Sequence, residues 1–261
     1  MIEKTVTAGH YAQKQLLSRS GLVRWTHGSR FRMGRELVER FAGQRLLDYG
    51  CGDGTFLALV QDLFPSAVGA DVALDQVEDC KRRFESLPGM AFLSTEDLGN
   101  AAQRNHYDVV VCMEVLEHCP DDIQSAVLDQ ILAVTAPGGT LIVSVPIEIG
   151  PPLVAKQCAR ALVAFGGLSE YAHRERYRAG ELLTMVFAGR NASIPREEHV
   201  GKIDELRTTR YTGHKGFNWR RLEQSLEHRF TVERRLFSPL QTLGPWLNSQ
   251  VWFVCRKPSK M

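Results

Sequence analysis

Eleven residues, LLDYGCGDGTF at positions 46–56, constrain this chain more than any other stretch. An apolar run ends in Asp48, and glycines follow at positions 50, 52 and 54. Leu46 and Leu47 read as the end of a buried strand. Glycine at every second position lets the backbone turn sharply and approach a ligand that a Cβ would hold off. The polypeptide itself then forms part of a pocket for a nucleotide-like cofactor. A dinucleotide fingerprint, G-x-G-x-x-G, requires glycine at position 55, where this chain has Thr55. The third glycine therefore arrives one position early. In nucleotide-binding βαβ units an acidic residue closes the next strand about 20 residues on and takes the ribose hydroxyls. Asp71, in SAVGADV, stands at that place.

The rest of the chain alternates helical and strand patterns in the manner of a parallel sheet with crossover helices. TFLALVQDLF reads as a helix, AVGADV as a strand, LDQVEDCKRRFESL as a helix and MAFLS as a third strand. YDVVVCME predicts a fourth strand, DDIQSAVLDQILAVT a helix after Pro120, and GGTLIVSVP a fifth strand introduced by a PGG turn. HRFTVERRLFS and SQVWFVCRK read as two further strands. Four segments follow from this pattern. They are an N-terminal piece at 1–45, a cofactor-binding core at 46–149, an insertion at 150–213, and a closing helix with a terminal hairpin at 214–261.

In the insertion, PLVAKQCARALVAFGG and ERYRAGELLTMVF carry helical spacing and predict a cap of helices over the C-terminal edge of the sheet. The first of these is amphipathic enough to dock on a membrane surface or to be buried in the cap. The N-terminal piece offers Tyr11, Trp25 and a helix through FRMGRELVERFAG, with the two aromatics placed either over the cofactor or in the core.

A chain of 261 residues with 44% hydrophobic and 24% charged content buries a large core and excludes disorder or fibre. No apolar run is long enough to span a bilayer, and MIEKTVTAGHYAQKQ lacks the apolar centre of a secretion signal, so a cytoplasmic protein is expected. Cysteines at 51, 80, 112, 119, 158 and 255 form no CxxC pair and read as buried thiols. Charge is uneven. Residues 1–45 carry nine Lys and Arg against three Asp and Glu, 46–170 carry six against eighteen, and 171–261 carry seventeen against nine. Basic flanks over an acidic core favour an anionic acceptor. A sequence pI near 8.2 argues against duplex DNA as a partner. The sequence does not specify an oligomeric state.

A second motif, MEVLEHCPD at 113–121, follows the fourth strand and falls at the edge where open α/β sheets bind ligands. If the chain turns there as a helix, Glu114, Glu117 and His118 share one face at i, i+3 and i+4. Two carboxylates and an imidazole suit Mg²⁺ or Mn²⁺, and the imidazole widens the choice to Fe, Co or Zn. Alternatively His118 acts alone as a general base, or the segment is a solvated helix start.

The D-x-G-x-G-x-G spacing after a strand resembles class I S-adenosylmethionine (SAM) methyltransferases. The resemblance implies an α/β, Rossmann-like sheet of seven strands, mostly parallel with an antiparallel last strand, and a helical insertion after the fifth strand. It implies SAM as cofactor. Asp48, Gly50, Cys51, Gly52 and Gly54 would surround its amino acid moiety, and Asp71 and Val72 its ribose. Ser94, Thr95 and Glu96 would border its adenine, with Cys112 and Met113 lining it at the end of the fourth strand. EVLEH resembles two branches, the ubiquinone-biosynthesis O-methyltransferases and the methyltransferases of small-RNA 3′-terminal 2′-hydroxyls. GHKGFNWRRL, at 213–222, is similar to a later histidine segment of the RNA branch, with one glycine more between Lys215 and Phe217. That match implies Glu114, Glu117, His118 and His214 as ligands of a divalent ion, with Glu117, His118 and His214 in catalysis and Phe217 and Trp219 as an aromatic pair. The leading expectation is O-methylation of a small hydroxylated acceptor, phosphorylated or lipid-linked. Methylation of an RNA end is second, N- or C-methyl transfer third, and a non-catalytic SAM-binding regulator last.

Overall fold

The computed structural model describes residues 21–87, 89–154, 177–203 and 207–259. Seven strands form one sheet: β1 (Leu46–Tyr49), β2 (Ala67–Asp71), β3 (Met90–Ser94), β4 (Tyr107–Met113), β5 (Thr135–Pro146), β8 (Thr231–Ser238) and β9 (Gln250–Arg256). Their order is β3-β2-β1-β4-β5-β9-β8, and β9 alone runs antiparallel to its neighbours. This is the sheet expected from the sequence. The order reverses between β1 and β4, so their C-terminal ends open onto the crevice where such folds bind ligands.

Central strands are buried on both faces, which is why they read as unbroken apolar runs. Along β9, Val251, Phe253 and Cys255 enter one half of the core while Trp252 and Val254 enter the other. The first half packs against α4 (Asp121–Val134), through Leu128 and Ile131, and against α6 (Trp219–Glu227), through Leu222 and Leu226. The second half packs against α1 (Gly21–Glu39), α2 (Thr55–Leu59) and α3 (Leu74–Arg83) through Met33, Leu37, Phe56, Val77 and Cys80.

Local chemistry sets the helix ends. The helix expected over TFLALVQDLF stops at Leu59, the carbonyl of Leu63 accepts instead from Gly43 N–H (2.8 Å), and Pro65 bars continuation. Upstream, α1 already covers the ten described residues before FRMGREL and leaves Trp25 47% exposed, outside the core. Tyr11 lies outside the described residues.

The insertion holds more than helices. After α5 (Ala179–Val186), β6 (Glu198–Lys202) and β7 (Thr208–Thr212) pair as an antiparallel hairpin that the sequence reading did not anticipate. Nearly every residue of β6 is exposed, so no apolar alternation marks it. PLVAKQCARALVAFGG beyond Val154 lies outside the described residues. Among the described residues, no helix is long and apolar enough to cross a membrane, and all five cysteines are free thiols.

Trp252 joins sheet and helices, fully buried with its Nε1–H donating to Ser238 Oγ at 3.0 Å. Trp252→Ala should cost about 3–5 kcal/mol in denaturant unfolding; a loss below about 1 kcal/mol would show that this half of the core collapses around the gap.

Candidate active site

The glycine motif forms the loop from β1 to α2. Gly50 has φ +77°, and a Cβ placed there would stand 2.3 Å from Val115 Cγ2, so both backbone and space demand glycine. The loop is tied to the end of β2: Asp71 accepts from Gly52 N–H at 2.8 Å and from Ala73 N–H at 3.0 Å, one bond to each carboxylate oxygen. Burial raises the Asp71 pKa, and those backbone bonds oppose the rise. Val72 beside it is exposed. Asp48 lies buried beneath the loop. Burial first, then repulsion from Asp71 and Asp53, pushes its pKa up to about 8. Asp53 closes the loop by accepting from the hydroxyl (2.6 Å) and N–H (3.1 Å) of Thr55. Cys51 is buried, and Cys80 Sγ donates to the Gly52 carbonyl at 3.4 Å.

At the end of β3, Ser94 and Asp97 cap each other. The Ser94 hydroxyl donates to Asp97 Oδ2 at 2.7 Å, and Asp97 N–H donates to Ser94 Oγ at 3.2 Å. These bonds make Asp97 the carboxylate that closes the turn after β3, one residue beyond Glu96. Thr95 N–H donates to Asp71 O at 3.0 Å, while Glu96 ion-pairs with Arg207. At the end of β4, Cys112 is fully buried in the core, and Met113 is half-buried.

The EVLEH segment departs from a helix. Glu114 takes φ +58°, and the turn that follows is a single 3-10 turn at Leu116–His118. The left-handed residue leaves Glu114 near Glu117 but outside the close group that Glu117 and His118 form with His214. Its carboxylate accepts from Ser144 Oγ at 3.1 Å and lies 3.6 Å from Arg30, a buried cation on α1 that the sequence reading passed over. Glu117, His118 and His214 do converge, each offering one ligand atom within 4.8 Å of the others. His118 Nε2 lies 3.9 Å from Glu117 Oε1 and 3.3 Å from His214 Nε2. Glu117 is fully buried, and neither of its carboxylate oxygens has a hydrogen-bond partner among the described residues. Burial, with Glu114 adding repulsion, raises the Glu117 pKa well above the ordinary carboxylate range. Burial, then the neighbouring His214, lowers that of His118.

Residue His214 reaches this place because the hairpin is anchored beside EVLEH. Thr212, the last residue of β7, donates its hydroxyl to Glu117 O at 3.2 Å, and its carbonyl lies 3.2 Å from His118 Nδ1. Beyond His214, the additional glycine has a role: Gly216 takes φ +82°, and a Cβ there would press on Ile194 and Arg196 at 3.1 Å. The chain turns there, and Phe217 and Trp219 then sink into the core, with Asn218 capping α6 through Arg220 N–H at 3.0 Å. A buried carboxylate without a hydrogen bond, beside two imidazole nitrogens facing one another, fits a divalent cation of borderline softness.

The raised Asp48 pKa implies a direction for stability. Between the ordinary carboxylate range and about 8, the folded protein holds a proton that the unfolded chain has lost. Stability contributed by Asp48 is thus complete at low pH and falls as pH rises through that window. The cofactor-free protein should melt at progressively lower temperature from pH 5 to pH 8, and Asp48→Asn should flatten that slope; equal slopes in both would show Asp48 ionised in the fold.

A family model described as "Methyltransferase domain" matches residues 26–188. Over 107 residues the chain is 36% identical to a ubiquinone biosynthesis O-methyltransferase of Xanthomonas campestris pv. campestris, covering 39% of this chain and 43% of that protein. The chain thus spans less than half the length of that relative. N-methyltransferase NodS of Bradyrhizobium japonicum WM9, solved with S-adenosyl-L-homocysteine, superposes with a TM-score of 0.54 at 15% identity, over 98% of this chain and 96% of that one. The methyltransferase domain of bacterial CtHen1 does so with a TM-score of 0.53 at 18% identity, over 88% and 99%. At such identities the likeness is one of fold. With more than half of its residues matched by one family model and the sheet order to go with it, the chain belongs to the methyltransferase-domain family, within the class I superfamily that uses SAM.

Proposed function

We propose that this protein transfers the SAM methyl group to a hydroxyl of a small-molecule acceptor, with a divalent cation at Glu117, His118 and His214. The observation that carries the cation is the meeting of His118 and His214, 96 residues apart in sequence, over a buried carboxylate that lacks a hydrogen bond. The O-methyltransferase relative supports a hydroxyl as the acceptor. The glycine loop would take the amino acid moiety of SAM, Asp71 the ribose and the Ser94–Asp97 turn the adenine. The acceptor oxygen attacks the methyl carbon, the S–C electron pair returns to sulfur, and S-adenosylhomocysteine leaves. A divalent cation at this site would lower the cost of deprotonating that oxygen. Without one, the Nε2 lone pair of His118 is the available base, since its Nδ1 faces the Thr212 carbonyl.

Because His214 joins the cluster, one second reading has support: methylation of the 2′-hydroxyl at an RNA 3′ end, whose vicinal diol a cation can grip. Methyl transfer from radiolabelled SAM to catechols, to short RNAs, and to the same RNAs after periodate oxidation separates the two. Transfer to intact RNA alone would replace the small-molecule reading.

Two measurements test the machinery. Gly50→Ala should abolish S-adenosylhomocysteine binding by calorimetry and cost about 1–3 kcal/mol of stability; retained affinity would remove the glycine loop from the cofactor site. Mn²⁺ titrated into protein saturated with S-adenosylhomocysteine should bind one to one, and Glu117→Ala and His214→Ala should each weaken binding more than about 100-fold. No uptake by wild type would leave His118 as a lone base.

A further inference from the structure

On the far side of the His214 ring stands a carboxylate that the proposed cation does not touch. Glu148, two residues past the end of β5, is 1% exposed, with Oε1 3.8 Å from His214 Nδ1. The other ring nitrogen, Nε2, faces His118 Nε2 at 3.3 Å. The imidazole therefore separates Glu148 from the cluster, and Glu148 is not among the groups whose atoms lie within 4.8 Å of one another. Backbone bonds pin both flanks of Glu148: Ile147 N–H donates to Ser249 O at 2.9 Å, and Gly150 N–H to Met185 O at 3.0 Å.

Tautomers decide what this arrangement can hold. A carbonyl only accepts, so the Thr212 oxygen 3.2 Å from His118 Nδ1 calls for the proton there and leaves the His118 Nε2 lone pair pointing at His214. Were His214 protonated on Nε2, that N–H would bond to His118 Nε2, and the two rings would satisfy each other and shut out a cation. With the His214 proton on Nδ1, two lone pairs meet at 3.3 Å, an arrangement that needs a cation between or beside them. Ligating histidines characteristically donate their second N–H to a carbonyl or carboxylate, which fixes the tautomer. His118 has the Thr212 carbonyl in that role.

Resting on the metal reading above, we propose that Glu148 is the positioning residue for His214: its carboxylate holds the proton on Nδ1 and so makes Nε2 a ligand. The 3.8 Å separation is contact distance rather than hydrogen-bond length, and a small tilt of the half-exposed ring closes it when the cation draws Nε2 forward.

The test uses the full chain saturated with S-adenosylhomocysteine and compares wild type, Glu148→Ala, Glu148→Gln and Glu117→Ala. Mn²⁺ affinity by calorimetry should fall about 10–100-fold in Glu148→Ala. Glu148→Gln, whose amide oxygen still accepts from Nδ1–H, should stay within about tenfold of wild type. Long-range proton–nitrogen NMR of the histidine rings in metal-free protein should find His214 protonated on Nδ1 in wild type and in Glu148→Gln, and shifted toward Nε2 in Glu148→Ala. A wild-type Nδ1 tautomer that Glu148→Ala leaves unchanged, with unchanged Mn²⁺ affinity, overturns the role of Glu148 while the cation site stands. Absence of Mn²⁺ binding in wild type overturns the cation site, and the NMR comparison then still decides Glu148: a tautomer insensitive to Glu148→Ala overturns it too. Glu117→Ala should lose Mn²⁺ without moving the tautomer; a shift there equal to that in Glu148→Ala would assign the effect to the cluster and overturn Glu148's part.

Discussion

One guanidinium, that of Arg196, joins the two segments on which the candidate site depends. It donates to the carbonyls of Glu117, Cys119 (3.2 Å) and Gly213 (3.0 Å), and it lies over the Phe217 ring at 5.3 Å. The first two carbonyls are left over by a single 3-10 turn, and the third by the end of a hairpin, so none has a ladder partner of its own. Leaving a buried acceptor unmet costs about 1–3 kcal/mol, and here one side chain reaches three carbonyls, that of Glu117 together with the Thr212 hydroxyl. The consequence is geometric. The turn bearing Glu117 and His118 is tied to the strand end before His214, which sets the two histidine Nε2 atoms 3.3 Å apart.

The charge asymmetry has a structural use that weakens its functional reading. Basic residues of the insertion and the C-terminal segment meet the acidic core directly: Arg207 with Glu96, Arg210 with Asp122, Arg221 with Asp121 and Arg229 with Asp129. Each exposed pair is worth only about 0–1 kcal/mol, yet together they orient one part of the chain on the other. Much of the basic excess that favoured an anionic acceptor is thereby committed within the molecule.

Elements with a strong period were legible in advance. MAFLS coincides with β3, and the apolar runs of β4 and β9 are as continuous as doubly buried strands must be, whereas β5 starts at Thr135 and takes in the PGG expected as a turn. The glycine loop was legible because its physical demand, left-handed backbone against a packed side chain, admits one residue type. Other features leave no trace in one dimension. The β6–β7 hairpin has exposed faces and no apolar alternation. Helical periodicity puts Glu114 on one face with Glu117 and His118, whereas the left-handed backbone at Glu114 turns its carboxylate to Ser144 and Arg30. Arg30 and Glu148 matter through neighbours far away in sequence, and their surroundings carry no motif. His214 was found only through a resemblance in the residues around it.

A fold does not keep a buried carboxylate without hydrogen bonds for stability. Desolvation alone makes Glu117 a liability to the folded state, and apolar residues of similar size would remove it. Its retention beside two imidazoles makes sense if something that binds only the folded chain offsets the penalty, since a ligand stabilises by RT ln(1 + [L]/Kd). A divalent cation would do so and would bind most tightly where the protein has made its own groups least content. Between Met113, on the side assigned to SAM, and Glu117, on the side assigned to the cation, lies only the left-handed turn at Glu114, held from α1 by Arg30 and from β5 by Ser144.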